Sequence, residues 1–336
     1  MVAGPVGGQP VNLLLVNYEY PPLGGGAANA TFNIGKCLVG QGHRVTVLTA
    51  AFGELRGAVE ESGVYVVRIP AARSRTDRSN PGEMLAFVAS AALRLPFLLR
   101  KERFDGAIVF FALPCGPLGL WMRALTKTPY VISLRGGDVP GSDPTVKSWH
   151  DVFASLRRQV YRKSIAVVAN SEALKQQAEA ADGHPVRVIP NGVDTDFFTP
   201  GPDAAAGRAS RILFVGRLQA QKNLFYLFDQ IARLGRATTV PFDLHLLGDG
   251  PDRAGLERRA RELGIADRLV WHGWVSDRQA VRSLYRSATF LVNPSLGEGM
   301  PHCVLEAMAC GVPALASRVP GNDAVVQDGE DGFLFD

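Results

Sequence analysis

The sequence predicts an α/β protein built of two doubly wound, Rossmann-like halves, and three observations carry that reading. Short apolar runs alternate with helical stretches along most of the chain, the pattern of parallel sheets covered on both faces. A stretch rich in Pro, Gly and Ala, without periodicity, interrupts the alternation near residue 200. The length, 336 residues, is long for one core and comfortable for two.

The first half begins with an apolar strand, Val11 to Asn17, which runs into the loop Leu23-Gly24-Gly25-Gly26. Ala27 to Val39 reads as a helix, and Gly40-Gln41-Gly42-His43 turns into a second strand, Arg44 to Thr49. Val64 to Ile69 is a third strand, and a long helical segment, Met84 to Leu99, follows it. Ala107 to Phe111 and Tyr130 to Leu134 are short apolar runs; Trp149 to Lys163 is helical, Ile165 to Ala169 a strand, and Pro185 to Ile189 closes the half. Domain boundaries are placed at 1–199, with a linker at 200–210 and a second domain at 211–336. That domain alternates again: strand Ile212 to Val215, helix Leu224 to Leu234, strand Phe242 to Leu247, helix Arg253 to Leu263, strand Leu269 to Trp271, strand Ala288 to Val292. Two such halves place a site at the strand carboxyl ends, in a cleft between them.

Composition excludes several classes. Hydrophobic content of 46% with 20% charge is that of a globular chain, and a net charge of +4 is no nucleic-acid footprint. Cys37, Cys115, Cys303 and Cys310 are scattered without a C-x2-C pair, so neither a metal site nor a disulfide framework is expected, and a reducing, cytoplasmic compartment is the simpler reading. Met1 to Pro10 lacks the charged start and apolar core of a signal peptide. No run of 18 apolar residues calls for a membrane span. Met84 to Leu99 comes nearest, interrupted by Arg94 and Pro96 and followed by Arg100-Lys101-Glu102-Arg103. It reads as an ordinary domain helix with a basic end; the other option is a helix resting on the inner face of a membrane near a lipid acceptor. Nothing in the sequence sets an oligomeric state.

The most informative stretch runs from Asn293 to Gly311. Glu298 falls in a loop above a strand's carboxyl end, while Pro301 suits a helix start, Gly311 its stop, and Glu306 projects from the helix between them. Backbone N–H groups around Gly299, Met300 and Pro301 would face an incoming anion. A partly buried carboxylate needs donors, and a ribose diol or a pair of sugar hydroxyls supplies two. A surface loop and an amphipathic helix with a locally paired Glu is the plainer alternative.

This Glu-x7-Glu spacing resembles the signature of the retaining glycosyltransferases of family 4, which have the GT-B fold of two Rossmann-like domains facing across a cleft. The resemblance implies that Glu298 holds the donor sugar and Glu306 the nucleotide ribose. Ile212 to Asn223 fits the same pattern, a strand ending at Gly216 with Arg217 and Lys222 beyond it. The resemblance gives those cations to the diphosphate, where they would stabilise charge on the leaving group. Gly24, Gly25 and Gly26, after Tyr20-Pro21-Pro22, resemble the family's donor loop, although a tight turn also explains them. Leu246 to Pro251 resembles a further strand-end loop in which Gly248 approaches the donor, and Trp271 to Val275 a segment around the base; His272 is read as structural. Val188 to Phe198 resembles hinge architecture at the end of the first domain.

Ser133 to Gly141 follows a strand and carries Arg135 and Asp138 toward the expected cleft, and Arg135 falls where many family members have a His. Arg cannot act as a base at neutral pH, so Arg135 is expected to clamp a phosphate or the acceptor. Asp138 either orients the acceptor or pairs with Arg135. Family members usually continue beyond the equivalent of Phe335 with helices, the last returning to the first domain, and the second domain is expected here without them.

The expected activity is retaining transfer of a sugar from a nucleoside-diphosphate sugar to a hydroxyl-bearing acceptor: a glycan, a lipid-linked glycan or a small molecule. No cofactor is expected, and no metal, since no Asp-x-Asp pair is poised for one. A nucleotide-sugar-binding protein without turnover and a GT-B-fold epimerase are the alternatives.

Overall fold

The computed structural model describes residues 9–76, 79–141, 147–201 and 210–336. Most of the expected linker, and most of the stretch Met1 to Pro10, lie outside the described residues. The chain divides into two units, Met1–Pro190 and Asn191–Asp336.

In the first unit, β1 (Asn12–Val16), α1 (Gly26–Gly40) and β2 (Arg44–Ala50) lead to a hairpin of β3 (Gly57–Glu61) and β4 (Val64–Ile69). Then come α2 (Pro81–Lys101), β5 (Gly106–Phe110), α3 (Gly116–Thr126), β6 (Tyr130–Ser133), α4 (Lys147–Val152), α5 (Ala154–Lys163), β7 (Ala166–Ala169), α6 (Glu172–Asp182) and β8 (Arg187–Val188). The sheet order is β3-β4-β2-β1-β5-β6-β7-β8, parallel throughout except for β3 against β4. Strand order reverses between β1 and β5, and such a switch point leaves a crevice at the strand carboxyl ends. The core beneath is aliphatic and aromatic, with Leu14, Leu15, Val47, Val109 and Ile132 fully buried.

α2 shows how local chemistry sets an element. Asn80 and Glu83 form a reciprocal capping box at its start, and Pro81 occupies the first turn. Pro96, the interruption visible in the sequence, lies inside the helix and removes the amide that would bond Ala92 O. Trp121 of α3 supplies the missing donor, its Nε1 bonding Ala92 O at 3.2 Å, and the helix runs on to Lys101.

The second unit contains β9 (Ser210–Val215), α7 (Leu224–Ala237), β10 (Phe242–Leu247), α8 (Arg253–Glu262), β11 (Leu269–Gly273), α9 (Arg278–Ser287), β12 (Phe290–Asn293), α10 (His302–Ala309), β13 (Ala314–Ser317), α11 (Pro320–Asp323) and β14 (Gly332–Phe335). All six strands are parallel in the order β11-β10-β9-β12-β13-β14, with the switch between β9 and β12. Each face has its own apolar cluster, one around Phe214, Phe228 and Leu256, the other around Leu213, Tyr285 and Leu291.

Two expectations need correction. The helix expected over 149–163 is two helices, because Phe153 leaves helical geometry at φ −98°, ψ 15°. Residues 191–199, expected in the first domain, pack with the second unit. Phe198 is buried edge-on against Tyr285, Arg278 and Arg282 of α9 stack on Phe197, and Arg286 donates to Thr199 O at 2.7 Å. Three arginines spaced four apart on one helix face thus bind the segment in place.

Candidate functional site

The two loops at the second unit's switch point hold a connected polar network. After β9 the chain turns at Gly216, passes Arg217, which is partly buried, and forms a single 3₁₀ turn, Ala220–Lys222, before α7. After β12 it runs through Ser295 to Glu298 and reaches α10, which starts at His302 with Pro301 as its cap residue. Gly311 ends α10 at φ +76°, as the sequence implies. Gly299 and Met300 lie in the loop just before the cap, where α10 has neither a side-chain cap nor an acidic first turn. Its N-terminal amides therefore keep their positive end for an anion.

Lys222 and Glu298 meet directly, Nζ to Oε1 at 2.5 Å, and both are largely buried. Ser295 Oγ donates to the same oxygen at 2.7 Å, and Asn293 Nδ2 lies 3.4 Å from it. Oε1 thus takes three donors, while Oε2 of Glu298 bonds none of the described residues. The loop is braced from below. Gln221 Nε2 donates to Gly297 O at 2.8 Å, Asn322 Oδ1 accepts from Asn293 Nδ2 at 3.1 Å, and a Cβ on Gly321 would lie 2.4 Å from Glu298 O.

Glu306 repeats the arrangement. Tyr285, fully buried on α9, donates its hydroxyl to Oε2 at 2.8 Å, and Oε1 has no partner among the described residues. Desolvation pushes the Glu306 carboxyl up to about 7, against the Tyr285 hydrogen bond and the positive charge of Arg278. Each glutamate therefore has one oxygen fixed by the protein and one left open, as a carboxylate that accepts from ligand hydroxyls requires.

Gly248 has a backbone reason to be glycine. It sits at φ +138°, and a Cβ there would lie 2.0 Å from Gly216 O, so the loops after β9 and β10 touch main chain to main chain. Met300 is fixed by Asn191, whose Nδ2 donates to Met300 O at 3.1 Å. His272 pairs with His245 at 2.9 Å, and burial lowers the pKa of both, His245 to about 4, so the pair stays neutral.

In the first unit, Gly24 sits at φ +88°, and a Cβ would strike the Glu19 carboxyl carbon at 2.6 Å. Gly25 is the cap residue of α1, with no side-chain cap and open space around it, and Gly26 begins the helix. Asp138 is buried and accepts from the amides of Ala112 at 2.7 Å, Arg135 at 2.9 Å and Gly136 at 3.1 Å. Its oxygens tie together the loops after β5 and β6. Desolvation raises its pKa, and the amides of Arg135, Ala112 and Asp138 itself oppose the rise. Arg135 lies over Phe110, its guanidinium carbon 4.9 Å from the ring centre, and donates to Ser133 Oγ at 2.8 Å. Burial lowers its pKa to about 10, which leaves it a cation at neutral pH.

The sequence did not single out Tyr285, Ser295 or Asn322. Tyr285 lies in a polar stretch, Arg278 to Ser287, where only Val281 and Leu284 beside it mark an inward face. Among the described residues no three His, Cys, Asp or Glu side chains converge as metal ligands.

Residues 24–197 match the family profile for Glycosyltransferase Family 4, and residues 209–336 that for Glycosyl transferases group 1. A lipopolysaccharide 1,6-galactosyltransferase of Salmonella typhimurium is 34% identical over 50% of this chain and 47% of its own length. A D-inositol 3-phosphate glycosyltransferase of Mycolicibacterium smegmatis is 32% identical over 64% of this chain and 51% of its own. The match thus spans about half the length of these curated relatives. Among solved structures, the sucrose-phosphate synthase of Thermosynechococcus elongatus superposes with a TM-score of 0.82 at 21% identity, covering 96% of this chain and 85% of that one. Anabaena HepE, solved with UDP and glucose, gives 0.72 at 18% identity, covering 97% and 85%. The fold is GT-B, and the chain belongs to glycosyltransferase family 4.

Proposed function

We propose that the chain transfers a sugar from a nucleoside-diphosphate sugar to a hydroxyl acceptor, with retention of anomeric configuration and without a metal ion. One observation carries this most: Glu298 is held by Lys222, Ser295 and Asn293 through Oε1, with Oε2 left open, at the second unit's switch point. In this reading Oε2 of Glu298 accepts from the donor sugar's hydroxyls and Oε1 of Glu306 from the ribose. Lys222, with Arg217 beside it, faces the diphosphate together with the open start of α10. As the anomeric C–O bond to phosphate breaks, those cations stabilise the growing negative charge. The acceptor hydroxyl attacks from the face the phosphate leaves, and its proton passes to the departing phosphate oxygen. Arg135, still cationic, is assigned to a phosphate or the acceptor; Asp138 shapes the loop that carries Arg135.

Names of the relatives and of solved neighbours support a nucleotide-sugar donor and a glycan or lipid-linked acceptor. The test is incubation with UDP-, GDP- and ADP-sugars in EDTA, with released nucleoside diphosphate quantified and the product anomer read by NMR. Release of one diphosphate with a retained anomer is expected. An inverted product, or activity abolished by EDTA, overturns the mechanism, and binding without turnover overturns the activity.

A further inference from the structure

α2 turns Phe87, Ala91, Leu95 and Leu98 into the core of the first unit. The opposite row, four residues apart, is Leu85, Ala89, Leu93 and Phe97, and all of it is exposed, Leu93 to 75% and Phe97 to 62%. A helix lying on a domain normally puts charge on that row, so an apolar one is informative where an isolated exposed Leu would not be. Exposed Trp121 and Leu125 of α3 continue the surface, since Trp121 is bonded to Ala92 O beside Leu93. Around it stand exposed Arg94, Arg100, Lys101 and Lys127, and none makes an ion pair among the described residues. By length and composition α2 could span a bilayer: it has 21 residues and contains an 18-residue window of mean hydropathy 1.5. Its inward face is built into the unit's core, so it presents one side only.

We propose that this outer face of α2 and α3 docks in the plane of a membrane rich in anionic lipid. Leu85, Leu93 and Phe97 enter the headgroup boundary, Trp121 sits at the polar interface, and the basic rim meets lipid phosphates. The unpaired positive charges select an anionic bilayer over an uncharged apolar partner. The surface belongs to the first unit, and its test requires neither donor nor turnover, so it stands or falls apart from the transfer reading.

The experiment is flotation of the full chain with vesicles of phosphatidylcholine alone and of phosphatidylcholine mixed with phosphatidylglycerol. The mixed vesicles are expected to bind at least about tenfold more tightly, with affinity falling as salt rises. The double variant Leu93→Glu, Phe97→Glu should lose vesicle binding. Arg100→Glu with Lys101→Glu should weaken it about tenfold. All four positions are exposed, and circular dichroism checks that each variant is folded. The proposal is overturned if the mixed vesicles do not bind, if the variants bind them as the parent does, or if the face proves to be a dimer contact. That last result would be a parent dimer, without vesicle affinity, which Leu93→Glu, Phe97→Glu converts to a monomer.

Discussion

Glu306→Gln should stabilise the second unit while weakening its ligand binding, and the gain should depend on pH. Desolvation raises the Glu306 carboxyl from 4.5 to about 7 in the folded chain. Between those values the folded state holds a proton that the unfolded state has released, so stability from this group is highest at low pH and falls as pH rises through the window. A shift of that size corresponds to about 3 kcal/mol above pH 7, and to about 1 kcal/mol or less at pH 5. Gln keeps the shape and can still accept from Tyr285, but carries no charge to desolvate. Thermal unfolding of the variant at pH 8 should therefore show the second unit's transition raised by on the order of 10 °C, with little change at pH 5. Nucleoside diphosphate binding should drop in the same protein. An equal shift at both pH values, or a loss of stability at pH 8, would refute the claim that this carboxylate is held desolvated for a ligand.

Three further outcomes follow from the same geometry. Tyr285→Phe removes the donor to Glu306 and should weaken binding of a ribonucleoside diphosphate about tenfold while leaving its 2′,3′-dideoxy counterpart unchanged, as read by calorimetry. Equal losses for both would show that Tyr285 acts on the fold alone. Gly248→Ala drives a methyl group into Gly216 O and should cost about 3 kcal/mol in denaturant unfolding of the second unit, with nucleotide binding lost. Charge reversal at Arg100 and Lys101 should lower vesicle affinity without altering nucleotide affinity, because that surface lies in the first unit.

Strands buried on both faces, such as Leu13 to Val16 and Ile212 to Val215, were legible because a continuous apolar run can hardly be anything else in an alternating chain. The loop position of Glu298 and the helical position of Glu306 were equally readable, since Pro301 and Gly311 bracket the helix. β3 was not, because Gly-Ala-Val-Glu-Glu at an exposed edge has no apolar run; its place is set by pairing with β4 and by the Glu61–Arg68 ion pair at 3.1 Å. α3 was hidden by its Gly and Pro, which serve close packing, as at Gly119 against Tyr130. α9 reads as polar because its arginines face the 197–199 segment, a contact no local window contains. The same limit hid Tyr285 and Asn322, whose partners lie 21 and 29 positions away.

Lys222 and Glu298 are the centre of the account, and calorimetry of UDP, GDP and ADP binding to the parent and to Lys222→Ala, in EDTA, tests them most directly. One of the three should bind tightly without metal, and the variant should lose about a hundredfold, since it removes a largely buried cation from a charged ligand. Unchanged affinity in Lys222→Ala, or no binding of any nucleotide to the parent, would contradict it.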